Sequence, residues 1–489
     1  MTRTRFAPSP TGYMHIGSLR TALFAYLYAK KNNGHFIVRI EDTDRERFVP
    51  DAEERILESL KWAGITPDNA TYFISPEEYS LDSHGPYVQS RRLDIYKTYT
   101  KQLIDSGHAY YAFDTSEELD AMRKKQEAEK KAPRYDRNAM RNQMTLEEEE
   151  TTALIASGTP HTIRLKVPEN EVVAFQDVIR GEVSFKTSEI DDQILMKSDG
   201  YPTYHLAVVV DDHLMEITHV IRGEEWLPST PKHILLYQAF GWEAPFYAHL
   251  PLLVNEQKQK LSKREGDVSV EDFKDKGYLP EALVNFIALL GWNPGDEREF
   301  FNLGQLVQEF SLERVHKAPA VFDIKKLNSI NSHYIRQIEV LDLVEMVKPF
   351  SKLTVSPDVM LKITLVLRDR LTHLAEFDAL AQGFLTVQEY SSELLQFPKS
   401  TNEHTVLGLT KALEILQNSE TGIWDDQEML TETLGSVVHE LGLKNGDVFW
   451  PVRVALSGQE KSASPVEFLW VLGKEESIKR IEKAVSYLK

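Results

Sequence analysis

The chain has 489 residues, 42% apolar and 10% aromatic, which is too long for one hydrophobic core and rich enough for about two to four domains. It contains no cysteine, which excludes disulfides, thiol catalysis and cysteine-ligated zinc and is compatible with the cytosol. The formal charge of −19 argues against a nucleic-acid partner until its distribution is read: Met1 to Ile40 carry six basic residues and no acid, and Ala121 to Asn142 carry eight basic against three acidic. No run of about 18 uncharged apolar residues occurs, and "MTRTRFAPSP" lacks the apolar segment of a secretory signal, so neither a membrane span nor export is expected.

In chain order, "TRTRFAPS" reads as a short strand and Leu19–Lys31 as an amphipathic helix closed by "NNG". "HFIVRIED" follows as an apolar strand ending in acids, then "AEERILESLKWAGI" as a second helix. Strand, helix and strand with short connections predict a parallel βαβ unit. Residues 86–190 change style, with a charged helical stretch and then the β-like "HTIRLKV" and "VVAFQDVIRGEVSF", as an insertion would. The α/β style returns at 193 with "QILMKSDGYPTYHLAVVVDDHLM", in which Tyr204 reads as a strand residue and Asp211–His213 as polar residues ending a strand rather than metal ligands. Ser229, Thr230 and Pro231 open a helix that Gly241 ends. Beyond about 325 the pattern is helical to the end. The expected segments are 1–85, 86–192, 193–245, 246–325 and 326–489.

The stretch "FAPSPTGYMHIGSLRTALFAYLYAKK" joins the first strand to the first helix, where open α/β sheets take their ligands. Gly12 and Gly17 allow close backbone approach or positive φ. A helix N-terminus near Gly17 would offer free N–H groups and a positive dipole end to an anion, and His15 adds a donor. These parts suit a nucleoside triphosphate, although spacing alone is met equally by a proline-rich turn before an ordinary helix. "KQKLSKREGD" at 258–267 breaks the tie, with Lys258, Lys260, Lys263 and Arg264 in a polar loop able to fold over phosphates.

The pair of motifs resembles those of class I aminoacyl-tRNA synthetases. Pro8, Ser9, Pro10, Thr11, Gly12, Tyr13, Met14, His15, Ile16, Gly17 and Ser18 match the first signature, and Lys260, Leu261, Ser262, Lys263 and Arg264 the second. The longer stretches "RFAPSPTGYMHIGSLRTALFAYLYAKKNNGHFIVRIEDTDRER", "SDGYPTYHLAVVVDDHLMEITHVIRGEEWLPSTPKHILLYQAFGW" and "KLSKREG" resemble bacterial-type glutamyl-tRNA synthetases, essentially end to end. The resemblance implies an α/β Rossmann-type catalytic domain split by an α+β insertion that binds the acceptor end. A stem-contact region and an all-helical anticodon-binding region would follow. It departs at Ser18, where the signature has histidine, and at Ala112 and Asp114, where some relatives carry zinc-binding cysteines, so no zinc is expected.

The resemblance also implies roles. Arg5 and Arg222 would contact substrate carboxylates, with a structural ion pair as the alternative, more readily for Arg5 than for Arg222. Glu41 would take the α-ammonium, Tyr204 would offer its hydroxyl, and Ala7 and Ser9 would flank the amino acid. His15, Gly17, Glu225, Leu253 and Lys263 would hold ATP with its Mg²⁺, and His15 and Lys263 would stabilise the phosphate charge that develops. Arg368, two residues from Arg370 and so facing another way on a helix, would inspect the third anticodon base. The partners expected are tRNA(Glu), L-glutamate and ATP, with no membrane, for a cytoplasmic monomer that forms adenylate efficiently only with tRNA bound. A glutaminyl enzyme would carry a β-barrel anticodon domain, a tRNA-base-modifying relative would lack residues 325–489, and a non-catalytic descendant would not need His15, Lys263 and Arg222 intact.

Overall fold

Strand β1 (Arg3–Phe6) is buried from Thr4 to Phe6 because strands flank it on both sides. The computed structural model describes residues 1–44, 47, 49–70, 73, 84–261 and 268–488. β1 pairs in parallel with β2 (His35–Val38), Arg3 opposite His35 and Phe6 opposite Val38, and on its other side with β8 (His219–Gly223). The sheet continues in parallel through β9 (Phe246–Leu250) to β5 (Val172–Asp177) and ends at the antiparallel strand β6 (Gly181–Lys186). The β5–β6 hairpin falls within 86–192 but extends this six-stranded sheet.

The helix Ile16–Lys31 connects β1 to β2. Leu19, Leu23, Phe24 and Leu27 are fully buried, and the Thr4 hydroxyl donates to the Ala25 carbonyl over 2.8 Å. The expected amphipathic face is wider than one stripe: Ile16, Ala22, Ala25 and Ala29 are also fully buried, and Phe24 packs on Phe310 with ring centroids 4.9 Å apart. The helix is covered on more than the sheet side.

β3 (Ala109–Ala112), β4 (Thr162–Leu165) and β7 (Ile194–Met196) form a separate antiparallel sheet. Tyr110, Ala112, Tyr135 and Met140 make a small core against it. Asp114 accepts from the Tyr135 hydroxyl over 2.5 Å and the Arg141 N–H over 2.7 Å, while Ala112 pairs with Thr162 in the ladder. Ala112 and Asp114 therefore serve a strand and a hydrogen-bonded turn. β10 (Leu253–Val254) pairs in parallel with β11 (Ala320–Val321).

Two readings are corrected here. "HLAVVVDDH" is not a strand: Tyr204–Leu214 is a helix, with Thr203 at its N-cap and Leu206 to Asp212 all buried. Three consecutive valines favour strands when half exposed, but here the helix is covered on several sides and burial overrides propensity. Arg368 and Arg370 do not share a helix either, because Pro357–Leu367 ends with Arg368 as its C-cap.

The chain divides into one compact unit of residues 1–273 and 283–324 and another of 274–282 and 325–489. The second is helical, with Asn402–Asn418, Gln427–Leu441, Asn445–Ser457 and Pro465–Leu488 burying Leu409, Leu416, Leu434, Val452, Leu469 and Ile481. Gly473 interrupts the last helix at φ 70°. Buried Arg480 donates to the carbonyls of Phe384 and Leu385, satisfying the end of the helix Phe377–Leu385. No described helix is long and apolar enough to cross a membrane.

Candidate active site

A cavity of about 1440 Å³ opens at the carboxyl ends of β1 and β8. Among its lining residues are Arg5, Ala7, Ser9, Glu41, Tyr204 and Arg222 on one side. His15, Gly17, Ser18, Glu225, Leu253 and Lys260 line it as well. Of the first motif, Pro10 and Ile16 are buried and do not line it. Ser262, Lys263 and Arg264 lie outside the described residues, and Arg368 belongs to the second unit.

His15 is the N-cap of the helix Ile16–Lys31, and its Nδ1 accepts the Gly17 N–H over 2.9 Å. Nδ1 therefore carries no proton in the neutral ring, and Nε2–H is the donor. The helix start does not offer the free N–H groups expected of it. Ile16 N–H goes to Val268 O over 2.9 Å, Ser18 and Leu19 N–H go to His15 O over 2.8 and 3.0 Å, and Gly17 N–H goes to the imidazole. An anion there meets the His15 Nε2–H and the dipole end rather than bare backbone. A Cβ on Gly17 would stand 3.1 Å from His15 Nδ1 and would press on the imidazole.

The second motif is tied to the same residues at its edges. Leu261 N–H donates to Leu253 O over 3.1 Å, and Val270 N–H donates to Met14 O over 2.9 Å. Asp272 accepts the N–H groups of Val268 and Ser269 over 3.1 and 2.9 Å. Leu261 thus stands beside Leu253, and Ser269 beside His15.

On the amino-acid side, four buried charges alternate in a line. Glu41 meets Arg39 at 3.0 Å, Arg39 meets Asp212 at 2.7 Å, and Asp212 meets Arg5 at 3.1 Å. Asp211, beside them, accepts from Arg92 Nε, Tyr96 OH and Gln89 Nε2 over 2.7, 2.8 and 2.9 Å. Burial pushes the Asp212 carboxyl up, but Arg5 and Arg39 outweigh it and hold it below its usual range. Burial keeps Glu41 above its usual range despite Arg39 and Arg5. Asp211 and Asp212 were read in the sequence only as polar residues ending a strand, and the role of Arg39 was missed; the available signal was a charged residue in an apolar strand two before Glu41, on the same face.

Arg222 differs from Arg5. It is 5% exposed, and no carboxylate pairs with it among the described residues. Its Nε donates to His249 Nε2 over 3.1 Å, Nη1 to the Tyr204 hydroxyl over 2.7 Å, and Nη2 to Thr230 Oγ1 over 2.8 Å and Trp226 O over 3.3 Å. All are neutral acceptors, so this wall of the cavity holds a desolvated positive charge without a counter-ion.

His205 Nδ1 lies 3.2 Å from His233 Nε2 next to this wall. Burial, then Lys232 and Arg222, push His205 down from 6.5 to about 3. Burial and then Arg222 put His233 well below 6.5. The unfolded chain takes up these protons first as pH falls, so stability is full above pH 6.5 and declines from there toward about 3. Thermal melts should therefore drop across this range, and His205→Gln should flatten the slope; an unchanged slope would exclude His205 as a contributor.

A family model described as "tRNA synthetases class I (E and Q), catalytic domain" matches residues 1–329, and one described as "Anticodon binding domain" matches 342–485. The chain is 44% identical over 498 residues to the glutamate–tRNA ligase of Alkaliphilus metalliredigens, covering 99% of each. It is 45% identical to that of Clostridium kluyveri, covering 100% of this chain and 98% of the relative. Among solved structures it resembles the glutamate tRNA ligase of Elizabethkingia meningosepticum in complex with its amino acid, at a TM-score of 0.89 and 39% identity over 100% of both chains. With a catalytic-domain model over two thirds of its length and relatives matched end to end, the chain belongs to the glutamate–tRNA ligase family of class I tRNA synthetases.

Proposed function

We propose that the chain activates L-glutamate with MgATP and transfers it to the terminal ribose of tRNA(Glu). The observation that carries the choice of amino acid is Arg222, a buried cation with neutral partners only, which favours a ligand whose side chain is anionic over its amide. Glu41, with its carboxylate on the cavity wall, is the site for the substrate ammonium.

In the first step a substrate α-carboxylate oxygen attacks the α-phosphorus of ATP, the bond to the pyrophosphate oxygen breaks, and glutamyl-adenylate forms. His15 donates its Nε2–H to the phosphate oxygens as charge shifts onto them, and Lys263 supplies a second cation. In the second step the ribose hydroxyl attacks the acyl carbon, the bond to the phosphate oxygen breaks, and AMP leaves with the hydroxyl proton taken up on its phosphate. No protein nucleophile is required; orientation and charge do the work.

For tRNA choice, Arg370 is held by Glu467 through Nη2 at 2.9 and 3.1 Å. Arg368, whose buried Nε has no acceptor among the described residues, is the candidate for reading the third anticodon base. The reading extends to a cytoplasmic monomer.

Glutamate-dependent ATP–pyrophosphate exchange tests the proposal. Strong exchange with tRNA(Glu) and little without it is expected. No exchange in either mixture would overturn the ligase reading, and equal exchange in both would overturn the coupling to tRNA.

A further inference from the structure

Behind Arg222 lies a fully buried pair that the proposed chemistry does not use. Asp177, at the end of β5, and His249, in β9, are both 0% exposed at their side chains, with Asp177 Oδ2 2.6 Å from His249 Nδ1. Neither is among the residues lining the cavity. Asp177 is fixed by its own turn, Oδ1 accepting the N–H groups of Ile179 and Arg180 over 3.0 and 2.8 Å, and Oδ2 the His249 N–H over 3.1 Å.

The tautomer follows from the neighbours. Arg222 Nε can only donate, so His249 Nε2, 3.1 Å away, must accept. The single imidazole proton is then on Nδ1, where the Asp177 carboxylate receives it. Burial lowers the affinity of His249 for a second proton, although Asp177 opposes this, so the ring stays neutral. Burial would raise the Asp177 carboxyl, but hydrogen bonds from His249, Arg180 and Ile179 hold it below its usual range.

We infer that the Asp177–His249 pair is a positioning device for Arg222 that sets the charge selectivity of the amino-acid pocket. The contrast is with Arg5, which meets Asp212 directly and is neutralised by it. Arg222 meets the same kind of carboxylate through an imidazole. The ring fixes the guanidinium plane with a neutral acceptor and leaves the positive charge for the side-chain carboxylate of the substrate. A carboxylate in place of His249 would quench that charge, and the pocket would then bind the amide as readily as the acid. This rests on reading Arg222 as the partner of the substrate carboxylate.

Asp177→Asn separates geometry from charge relay. The Asn Oδ1 stays on the two turn N–H groups, so its NH₂ faces His249 Nδ1 and drives the ring proton to Nε2, against the Arg222 Nε–H. His249→Gln is the conservative counterpart, because its amide NH₂ can face Asp177 while its oxygen faces Arg222. We expect Asp177→Asn to raise the KM for glutamate about 10- to 100-fold and narrow the preference over glutamine, with ATP KM unchanged, while His249→Gln stays within about threefold of wild type. Arg222→Leu is the reference. If it raises the glutamate KM and Asp177→Asn does not, the relay is wrong and the pocket reading stands; if Arg222→Leu has no effect, the pocket reading itself fails. An equal rise in the KM of ATP and glutamate for Asp177→Asn would mark a structural role only and overturn the relay. Imidazole ¹⁵N shifts of His249 in the unmodified enzyme provide a check independent of variant folding: a proton on Nδ1 is required, and one on Nε2 overturns the inference.

Discussion

An Arg222→Leu enzyme is expected to lose about 10²- to 10³-fold in kcat/KM for glutamate, nearly all of it in KM. The guanidinium has already exchanged water for the Tyr204 hydroxyl, Thr230 Oγ1, His249 and a backbone carbonyl, so its desolvation is complete before substrate arrives. A carboxylate entering the pocket gains the charge interaction without further ordering of the cation. Removing the cation leaves that carboxylate desolvated against leucine, a loss of about 3–4 kcal/mol for a buried charged contact. Arg222→Lys should fall between the two, because an ammonium keeps the charge but cannot span acceptors on three sides. Steady-state kinetics at saturating tRNA, with glutamate and ATP varied in turn, decide it. The assignment fails if ATP KM rises as much as glutamate KM, or if neither moves.

The parts that were legible in the sequence are those in which local chemistry dictates the outcome. The Pro- and Gly-rich turn after "TRTRF" does join β1 to a helix, with Gly12 at φ 136° and His15 at the N-cap. Ser229–Thr230–Pro231 does open a helix, with Ser229 at the N-cap, and Gly241 ends it at φ 69°. Arg5, Ala7, Glu41 and Arg222 come together because they lie in or just after β1, β2 and β8, and the parallel βαβ reading anticipates the pairing of the first two of these strands.

What was not legible depends on distant burial. Val208–Val210 are helical because the surrounding structure covers them, and no local rule reveals that cover. Asp212 looks like a strand-end acid until Arg5 and Arg39 are brought beside it from the first two strands. The Gly17 N–H reads as an anion donor until the ring of His15 folds back onto it. Asp177 lies in a hairpin whose sequence fits either sheet, and only the pairing of Asp177 with Tyr247 places it next to His249.

Arg39→Met is expected to cost about 3–5 kcal/mol of stability near neutral pH, and less as pH falls. Arg39 is 0% exposed and faces three carboxylates, Glu41 at 3.0 Å, Asp212 at 2.7 Å and Asp211 at 3.7 Å. With Arg5 and Arg92 it balances those three anions; without it, three buried carboxylates share two cations. The sign of the pH effect follows from Asp212. Its carboxyl is held below the usual range by Arg5 and Arg39 against burial, so in the unmodified protein it contributes stability above the ordinary aspartate range, which is lost as pH falls through the folded value. Without Arg39, burial dominates at Asp212 and Glu41, and both take up protons more readily folded than unfolded. Acidification then relieves the variant at both groups but the parent at Glu41 only, and the gap between them narrows. Denaturant unfolding at about pH 7.5 and about pH 5 measures both effects. A gap that stays constant with pH would mean that Arg39 stabilises through packing of its alkyl stem alone. A narrowing gap accompanied by weakened glutamate binding at neutral pH would tie the same buried line of charges to fold and pocket together, because Arg39 lies between the two groups, Arg5 and Glu41, that face the cavity at its ends.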